Sequence, residues 1–340
     1  MKGGSYDVGI REDMRMGKTG TELLHMFSRR LRTALGGINL DDGGLLEIRL
    51  RAGMPVGLVF GRRELFLGPD GRQTEQADGG ETVTALDIRE TVELMASHSL
   101  YAYEEELRQG FLTLPGGHRV GLSGRCVAEN GRVRTIKYIS SLNIRLARQV
   151  KGCGRRLLPF LYENGTFLNT LVISPPCGGK TTLLRDLVRL ISLGNSWGKG
   201  VSVGVVDERS EIAACFQGVP QNDLGPRTDV LDCCPKAVGM MMMIRSMSPA
   251  VVAVDEIGGR EDAEALEYAV SCGCRLAATI HGNDLEDAVQ KPAMGRLLEN
   301  GAFQRFVVLD SRHAGHSARV RDRKGNVLAA ETDVSGEAPP

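Results

Sequence analysis

Leu171–Ser192 reads LVISPPCGGKTTLLRDLVRLIS, and the rest of the chain is organised around it. Leu171, Val172 and Ile173 form a short apolar run suited to a buried strand. Two prolines and two glycines between Ser174 and Gly179 end that strand. Lys180, Thr181 and Thr182 then open a segment with Leu183, Leu184, Leu187 and Leu190 at helical spacing. Strand, glycine-rich loop and Lys-Thr at a helix start make a phosphate loop. In that arrangement the backbone N–H groups of Gly178, Gly179, Lys180 and Thr181 point into one concavity, to which the helix dipole adds positive charge. Lys180 then contacts the outer phosphates and the Thr181 hydroxyl ligates magnesium, with Pro175, Pro176, Cys177 and Thr182 completing the cradle. Ser174 departs from the pattern G-x-x-x-x-G-K-[ST], which has glycine there. A non-glycine residue at positive φ costs roughly 1–2 kcal/mol, so Ser174 must adopt another backbone angle or carry strain. The competing reading is a glycine-rich turn before an ordinary helix. The apolar run upstream and the amphipathic run downstream weigh against it.

A chain of 340 residues can bury one or two cores, with two domains the better expectation. Lys plus Arg and Asp plus Glu number 42 each, so no global field recruits nucleic acid or membrane. No apolar run approaches the ~20 residues that span a bilayer, and MKGGSYDVGIREDMRMG lacks the apolar centre of a secretory signal. The expectation is a soluble cytoplasmic protein. The eight cysteines form no C-x-x-C, so zinc is not expected and free thiols in a reducing compartment are.

Residues 1–20 read as disordered. A helix is expected over Leu24, Phe27, Leu31 and Leu35, closed by Gly36–Gly37. Leu46–Arg51 alternates strictly, as a half-buried strand does, and Val56–Phe60 and Leu65–Leu67 extend it into an antiparallel group. Thr84 and Asp87 make a capping-box start for a helix carrying Ile88, Val92 and Met95. A second helix over Tyr101–Arg108 precedes strands at Phe111–Leu114, His118–Leu122, Val133–Ile136 and Leu142–Leu146. This is an α+β domain over 21–150. From 151 to 310 apolar strands at Leu171–Ile173, Val201–Val206, Val251–Val254, Leu276–Ile280 and Phe306–Leu309 alternate with helices, which implies an α/β domain with a mostly parallel sheet. Residues 311–340 read as a disordered tail. Met240–Met243 are expected in the core, with an adaptable partner surface as the other reading.

Ligands in such sheets bind beyond the carboxyl ends of the strands. Asp207, Glu208 and Arg209 follow one strand, Asp255 and Glu256 another, and Thr279, His281 and Asn283 a third. VVAVDE is a Walker B pattern: Asp255 holds the magnesium shell and Glu256 orients or deprotonates water. Glu208 is a rival for that second role, and Glu256 is preferred. His281 can report the γ-phosphate.

At these residues the chain resembles the stage III sporulation protein AA family. The stretches that carry the likeness are EEELRQGFLTLPGGHRVGLSGRCV, SSLNIRLARQVKGCG, SPPCGGKTTLLRDLVR, VVDERSEIAA, RTDVLDCCPKAVGMMMMIRSMSP and VDEIGGREDAEAL. The family commonly reads PPGCGK where this chain reads PPCGGK, so Gly and Cys are exchanged at 177 and 178. It is similar in turn to the hexameric ATPases of type II and type IV secretion and pilus assembly. Thr279-x-His281-x-Asn283 resembles their histidine box and Asp207–Glu208 their acidic box. The resemblance implies a RecA-like P-loop core, ATP and Mg2+ as cofactors, and an arginine from the N-terminal domain completing the active site. Arg119, Arg145 and Arg148 are the candidates. It further implies a ring-shaped homo-oligomer, a hexamer, powering a mother cell–forespore channel complex. The motor would be held at the outer forespore membrane by integral membrane proteins. Two other functions stay open on the residues: a RecA-like nucleic-acid translocase, which zero net charge disfavours, and a nucleotide-binding scaffold that does not hydrolyse.

Overall fold

The structure, a computed structural model, describes residues 19–336 apart from 42–43, 62, 69–70, 78, 98–102, 130 and 311–316. The N-terminal segment expected to be disordered lies outside the described residues up to 18, and Thr19 and Gly20 already belong to a helix. The chain divides into two compact units, Met1–Ala147 and Arg148–Pro340.

In the first unit two short helices, α1 (Thr19–His25) and α2 (Arg29–Leu35), replace the single helix expected there. Ser28 separates them, because its hydroxyl caps α2 by accepting from Leu31 N–H and so fixes a new helix start. The alternating run becomes β1 (Leu45–Arg51) and pairs antiparallel with β2 (Gly57–Phe60), which continues to β3 (Arg63–Leu67) and β4 (Gln73–Thr74). Thr84 and Asp87 close the capping box of α3 (Ala85–Met95), and Gly110 ends α4 (Glu104–Gln109) in the left-handed conformation. Three strands follow: β5 (Phe111–Thr113), β6 (Arg119–Glu129) and β7 (Arg132–Arg145). The sheet runs β4-β3-β2-β1-β7-β6-β5. The two strands expected at Val133–Ile136 and Leu142–Leu146 are one. A bulge between Ser123 and Arg125, opposite Tyr138 at φ 49°, absorbs the residues that break the alternation.

The second unit opens with a one-turn helix, α5 (Leu158–Leu161), and a small hairpin of β8 (Tyr162–Glu163) and β9 (Thr166–Phe167). The phosphate-loop strand is β10 (Thr170–Ser174), buried along its whole length, and its helix is α6 (Lys180–Leu193). After the hairpin of β11 (Gly194–Asn195) and β12 (Gly198–Lys199) come β13 (Val203–Asp207), β14 (Thr228–Asp232), α7 (Lys236–Met247), β15 (Val251–Val254), α8 (Arg260–Ser271) and β16 (Arg275–His281). Next are α9 (Leu285–Val289), α10 (Pro292–Glu299), β17 (Arg305–Asp310), β18 (Ser317–Asp322) and β19 (Val327–Asp333). The sheet order is β14-β13-β15-β16-β10-β17-β18-β19, parallel from β14 to β17 and antiparallel beyond. Period-two alternation sends Val172 to one face, with Leu183, Leu187 and Val205. It sends Leu171 and Ile173 to the other, with Val254, Leu266 and Met243. Met240 and Met243 are buried there, while Met242 is exposed.

Two expectations are corrected. β14 was not foreseen, because TDVLD on a sheet edge is only half-buried and its acids hide the strand pattern. The tail at 311–340 is not disordered where described: Ser317–Asp322 and Val327–Asp333 extend the sheet, with Ala318 and Val320 buried against Val307 and Leu309. Ala318 and Val320 alternate with charged neighbours, a half-buried edge pattern that a count of arginines conceals. No helix among the described residues is long and apolar enough to cross a membrane.

Candidate functional site

Because β10 is central, the loop that follows it opens at the carboxyl edge of the sheet. Ser174 resolves its departure from the pattern by staying extended as the last residue of β10, buried, with its hydroxyl donating to the Pro175 carbonyl at 3.0 Å. The positive φ falls instead on Cys177, at 59°, and on Gly179, at 89°. The exchange of Gly and Cys thus puts an exposed side chain where glycine is unstrained. A Cβ on Gly178 would lie 2.0 Å from Ser174 Oγ, so the serine and this glycine fit one another. Pro176 is exposed, and Pro175 and Thr182 are half-buried. Gly179 offers α6 no side-chain cap, so its first-turn amides face the loop.

The strand ends converge on this loop. Thr181 Oγ1 donates to Asp255 Oδ2 at 2.5 Å, and the Thr279 hydroxyl donates to the other Asp255 oxygen. Glu256, directly after β15, has a left-handed backbone with φ 52°. Its N–H is held by Thr279 Oγ1 at 2.8 Å and Asp255 Oδ1 at 3.0 Å. Its carboxylate gathers three nitrogens. Oε1 lies 2.9 Å from Lys180 Nζ and 2.9 Å from His281 Nε2, and Oε2 lies 2.9 Å from Arg209 Nη1. Partial burial pushes the Glu256 carboxyl up, but Lys180, His281 and Arg209 together hold it below the ordinary range. His281 Nδ1 is buried with no hydrogen-bond partner among the described residues.

Glu208 makes a different contact: it is exposed and pairs with Lys236. Its neighbour Asp207 turns inward and accepts from the N–H groups of Glu211, Ile212 and Ala213 at 2.9, 2.9 and 2.8 Å. Burial pushes its carboxyl up to about 6 against those three bonds. The turn it holds is joined to α6 by Arg185, which donates to the carbonyls of Ile212 at 2.9 Å and Glu211 at 2.7 Å. Burial lowers the Arg185 pKa from its ordinary value. The same guanidinium donates to the Arg148 carbonyl at 3.4 Å. Arg119 and Arg145 belong to the first unit, where they face each other across β6 and β7. Arg119 stacks 3.7 Å over the Phe111 ring, and Arg145 Nε lies 3.5 Å from Glu47 Oε1.

The second unit therefore links Lys180, Thr181, Asp255, Glu256 and His281 by hydrogen bonds and ion pairs, while Glu208 is paired with Lys236 instead. Sequence reasoning assigned no role to Arg209 or Arg185. Arg209 carried a usable signal, since it follows two acids at a strand end. Arg185 carried none, because an arginine on an amphipathic helix reads as a solvated residue. The Thr181 hydroxyl and Asp255 carboxylate form the all-oxygen donor pair that magnesium prefers, so the residues present fit that ion. No cluster of three or more His, Cys, Asp or Glu suited to a metal occurs among the described residues, and Cys126, Cys153, Cys177, Cys215, Cys233, Cys234, Cys272 and Cys274 are all free thiols.

Known structures share this architecture. The ATPase DotB of Legionella pneumophila superposes with a TM-score of 0.53 at 14% identity, covering 83% of this chain and 75% of that one. The pilus retraction motor PilT, solved with bound ADP, gives 0.52 at 14% identity, covering 86% and 81%. At that identity the likeness concerns the fold: a RecA-like P-loop core with a mostly parallel sheet, preceded by a smaller α+β unit. Stage III sporulation protein AA of Bacillus subtilis (strain 168) is 46% identical over 289 residues, 85% of this chain and 90% of that protein. A model of the family described as "Sporulation stage III, protein AA" matches residues 18–328, and with that match the chain belongs to this family.

Proposed function

We propose that this protein is a magnesium-dependent ATPase motor of the secretion-ATPase type. In this reading it assembles as a ring-shaped homo-oligomer, a hexamer. It powers a mother cell–forespore channel during sporulation from the cytoplasm of the mother cell. Integral membrane proteins of the channel hold it at the outer forespore membrane, and nucleic acid has no part. The observation that carries the proposal is the meeting of Lys180 and Thr181 from the start of α6 with Asp255, Glu256 and His281 at the ends of β15 and β16, each within hydrogen-bond reach of at least one other.

The roles follow from position. The open amides of α6 and the Lys180 ammonium bind the phosphates of ATP. The Thr181 hydroxyl and the Asp255 carboxylate hold magnesium, which supplies charge neutralisation at the phosphate oxygens. Thr279 keeps Asp255 and the Glu256 amide in place. Glu256, kept ionised by its cationic neighbours, orients the attacking water and accepts its proton. His281 shares Oε1 with Lys180 and so registers whether Lys180 has moved to a phosphate. Arg119, Arg145 and Arg148 are proposed to complete the site in the assembled ring, an effect worth roughly 10³–10⁵ in rate.

Steady-state hydrolysis by the purified full-length protein, with oligomer size measured alongside, tests this. Lys180→Ala is expected to lose nucleotide binding. Glu256→Gln is expected to keep ATP binding and lose roughly 10²–10⁴ in turnover. A protein that binds ATP and never hydrolyses it would instead be the scaffold. Stimulation by DNA or RNA, but not by channel-protein fragments, would make it the translocase.

A further inference from the structure

The three nitrogens around Glu256 come from three different elements. Lys180 stands in the first turn of α6, His281 ends β16, and Arg209 belongs to the turn after β13. All three lie 2.9 Å from a carboxylate oxygen. Such convergence beside a phosphate loop makes a receptor for an anion, here filled by the chain's own carboxylate. Lys180 must leave that carboxylate to reach a phosphate, so the receptor is built to exchange its anion.

Arg209 is suited to the same exchange. Its side chain is 63% exposed, whereas that of Lys180 is 6% exposed, so the guanidinium has room to swing. Its base is fixed. Asp207, two residues before it, accepts the three backbone N–H bonds that fold the turn, and Arg185 ties that turn to α6. The guanidinium is therefore carried on a frame anchored to both the acidic strand end and the phosphate-loop helix. Glu256 is likewise pinned through its backbone N–H, which leaves its side chain as the part that moves.

We propose that Arg209 is a phosphate-contacting arginine supplied within the same subunit, pairing with Glu256 when no triphosphate is bound and with the γ-phosphate when one is. The transfer of Arg209 and Lys180 leaves Glu256 able to turn to water only when a triphosphate is present. The ligand it reads is the terminal phosphoryl group of a nucleoside triphosphate, which a diphosphate lacks. This inference rests on the nucleotide reading of the site.

The test compares dissociation constants for ATPγS and ADP, with magnesium, in the full-length parent, Arg209→Gln and Arg209→Lys. Arg209→Gln is expected to weaken ATPγS about tenfold or more and to change ADP less than about twofold, with Arg209→Lys between. Equal weakening of both nucleotides would mean that Arg209 acts only through Glu256 and Lys180, and would overturn the proposal. So would an unchanged ATPγS-to-ADP ratio. If the parent binds neither nucleotide, the nucleotide reading itself falls and this inference with it. If the parent binds both and the ratio does not move, only the role of Arg209 falls.

Discussion

Asp87 in the first unit and Glu256 in the second are both carboxylates ringed by donors, yet they are built differently. Asp87 is buried in the first turn of a regular helix. It accepts from Ser28 Oγ at 2.9 Å, from Thr84 N at 2.8 Å and Oγ1 at 2.6 Å, and from the Arg30 guanidinium, and so fastens α2 to the start of α3. Burial alone would raise its pKa, but the bonds from Arg30, Thr84 and Ser28 win and hold it far below the usual carboxylate range. Glu256 is partly open to solvent and stands on a left-handed backbone. Under the proposed roles two of its nitrogen partners, Lys180 and Arg209, have a phosphate as another anion to bind. The first network sits on a regular helix and joins partners from two helices around a buried acid, which suits stability. The second has a left-handed main chain and, as proposed, cations that leave for a phosphate, which suits exchange.

The sharpest way to break the contrast is to remove each carboxylate and measure unfolding. Asp87→Ala uncaps α3 and removes the acceptor of the buried Ser28 hydroxyl, while Arg30 keeps Glu81 and the Thr82 carbonyl, so a loss of about 2 kcal/mol is expected in urea titrations followed by circular dichroism. Glu256→Gln should cost about 1 kcal/mol or less, because the amide oxygen can still accept from Lys180 and the side chains of the other two partners, His281 and Arg209, are open to solvent. Equal losses would erase the distinction.

Acid should reveal the same difference. A carboxyl with a depressed folded pKa gives stability that is fully present above its unfolded value of 3.8 and is lost as pH falls through the folded value. The parent should therefore lose unfolding free energy steadily below about pH 4. Asp87→Asn should be less stable at neutral pH and flatter in acid. Parallel pH profiles for the two proteins would show that Asp87 is not the group that holds the first unit together.

The smallest effect concerns strain at the phosphate loop. Cys177 has φ 59°, a conformation that costs a side chain and not a glycine. Cys177→Gly should raise the thermal midpoint, with a gain of up to about 1 kcal/mol. A loss would place the strain of this rim elsewhere, with Glu256 the remaining left-handed residue among the groups that meet there.

Much of the site was legible. GGKTT after an apolar run and VVAVDE before a turn each specify a local structure, and local structure puts Lys180 and Thr181 at the start of a helix and Asp255 and Glu256 at a strand end. The choice between Glu208 and Glu256 was not legible, because both follow a strand and only packing decides which way an acid turns. The pairing of Glu208 with Lys236, 28 residues away, separates them. Arg209 was seen but not understood, since its partner lies 47 residues further on. The edge strands were lost for a related reason. β14 and β18 are half-buried and β19 is mostly exposed, and their charged residues outweigh the apolar ones that pack inward.

By itself the sequence determined the parallel core, the phosphate loop and the order in which its strand ends deliver acid, hydroxyl and imidazole. Each of these is written in a period of two or of 3.6, or in a glycine at a turn, and such patterns act over a few residues. Tertiary structure alone decided which carboxylate the lysine meets, that an arginine joins it, and where the sheet ends. Those outcomes depend on contacts between residues far apart in the chain, and no local pattern encodes which distant partner arrives.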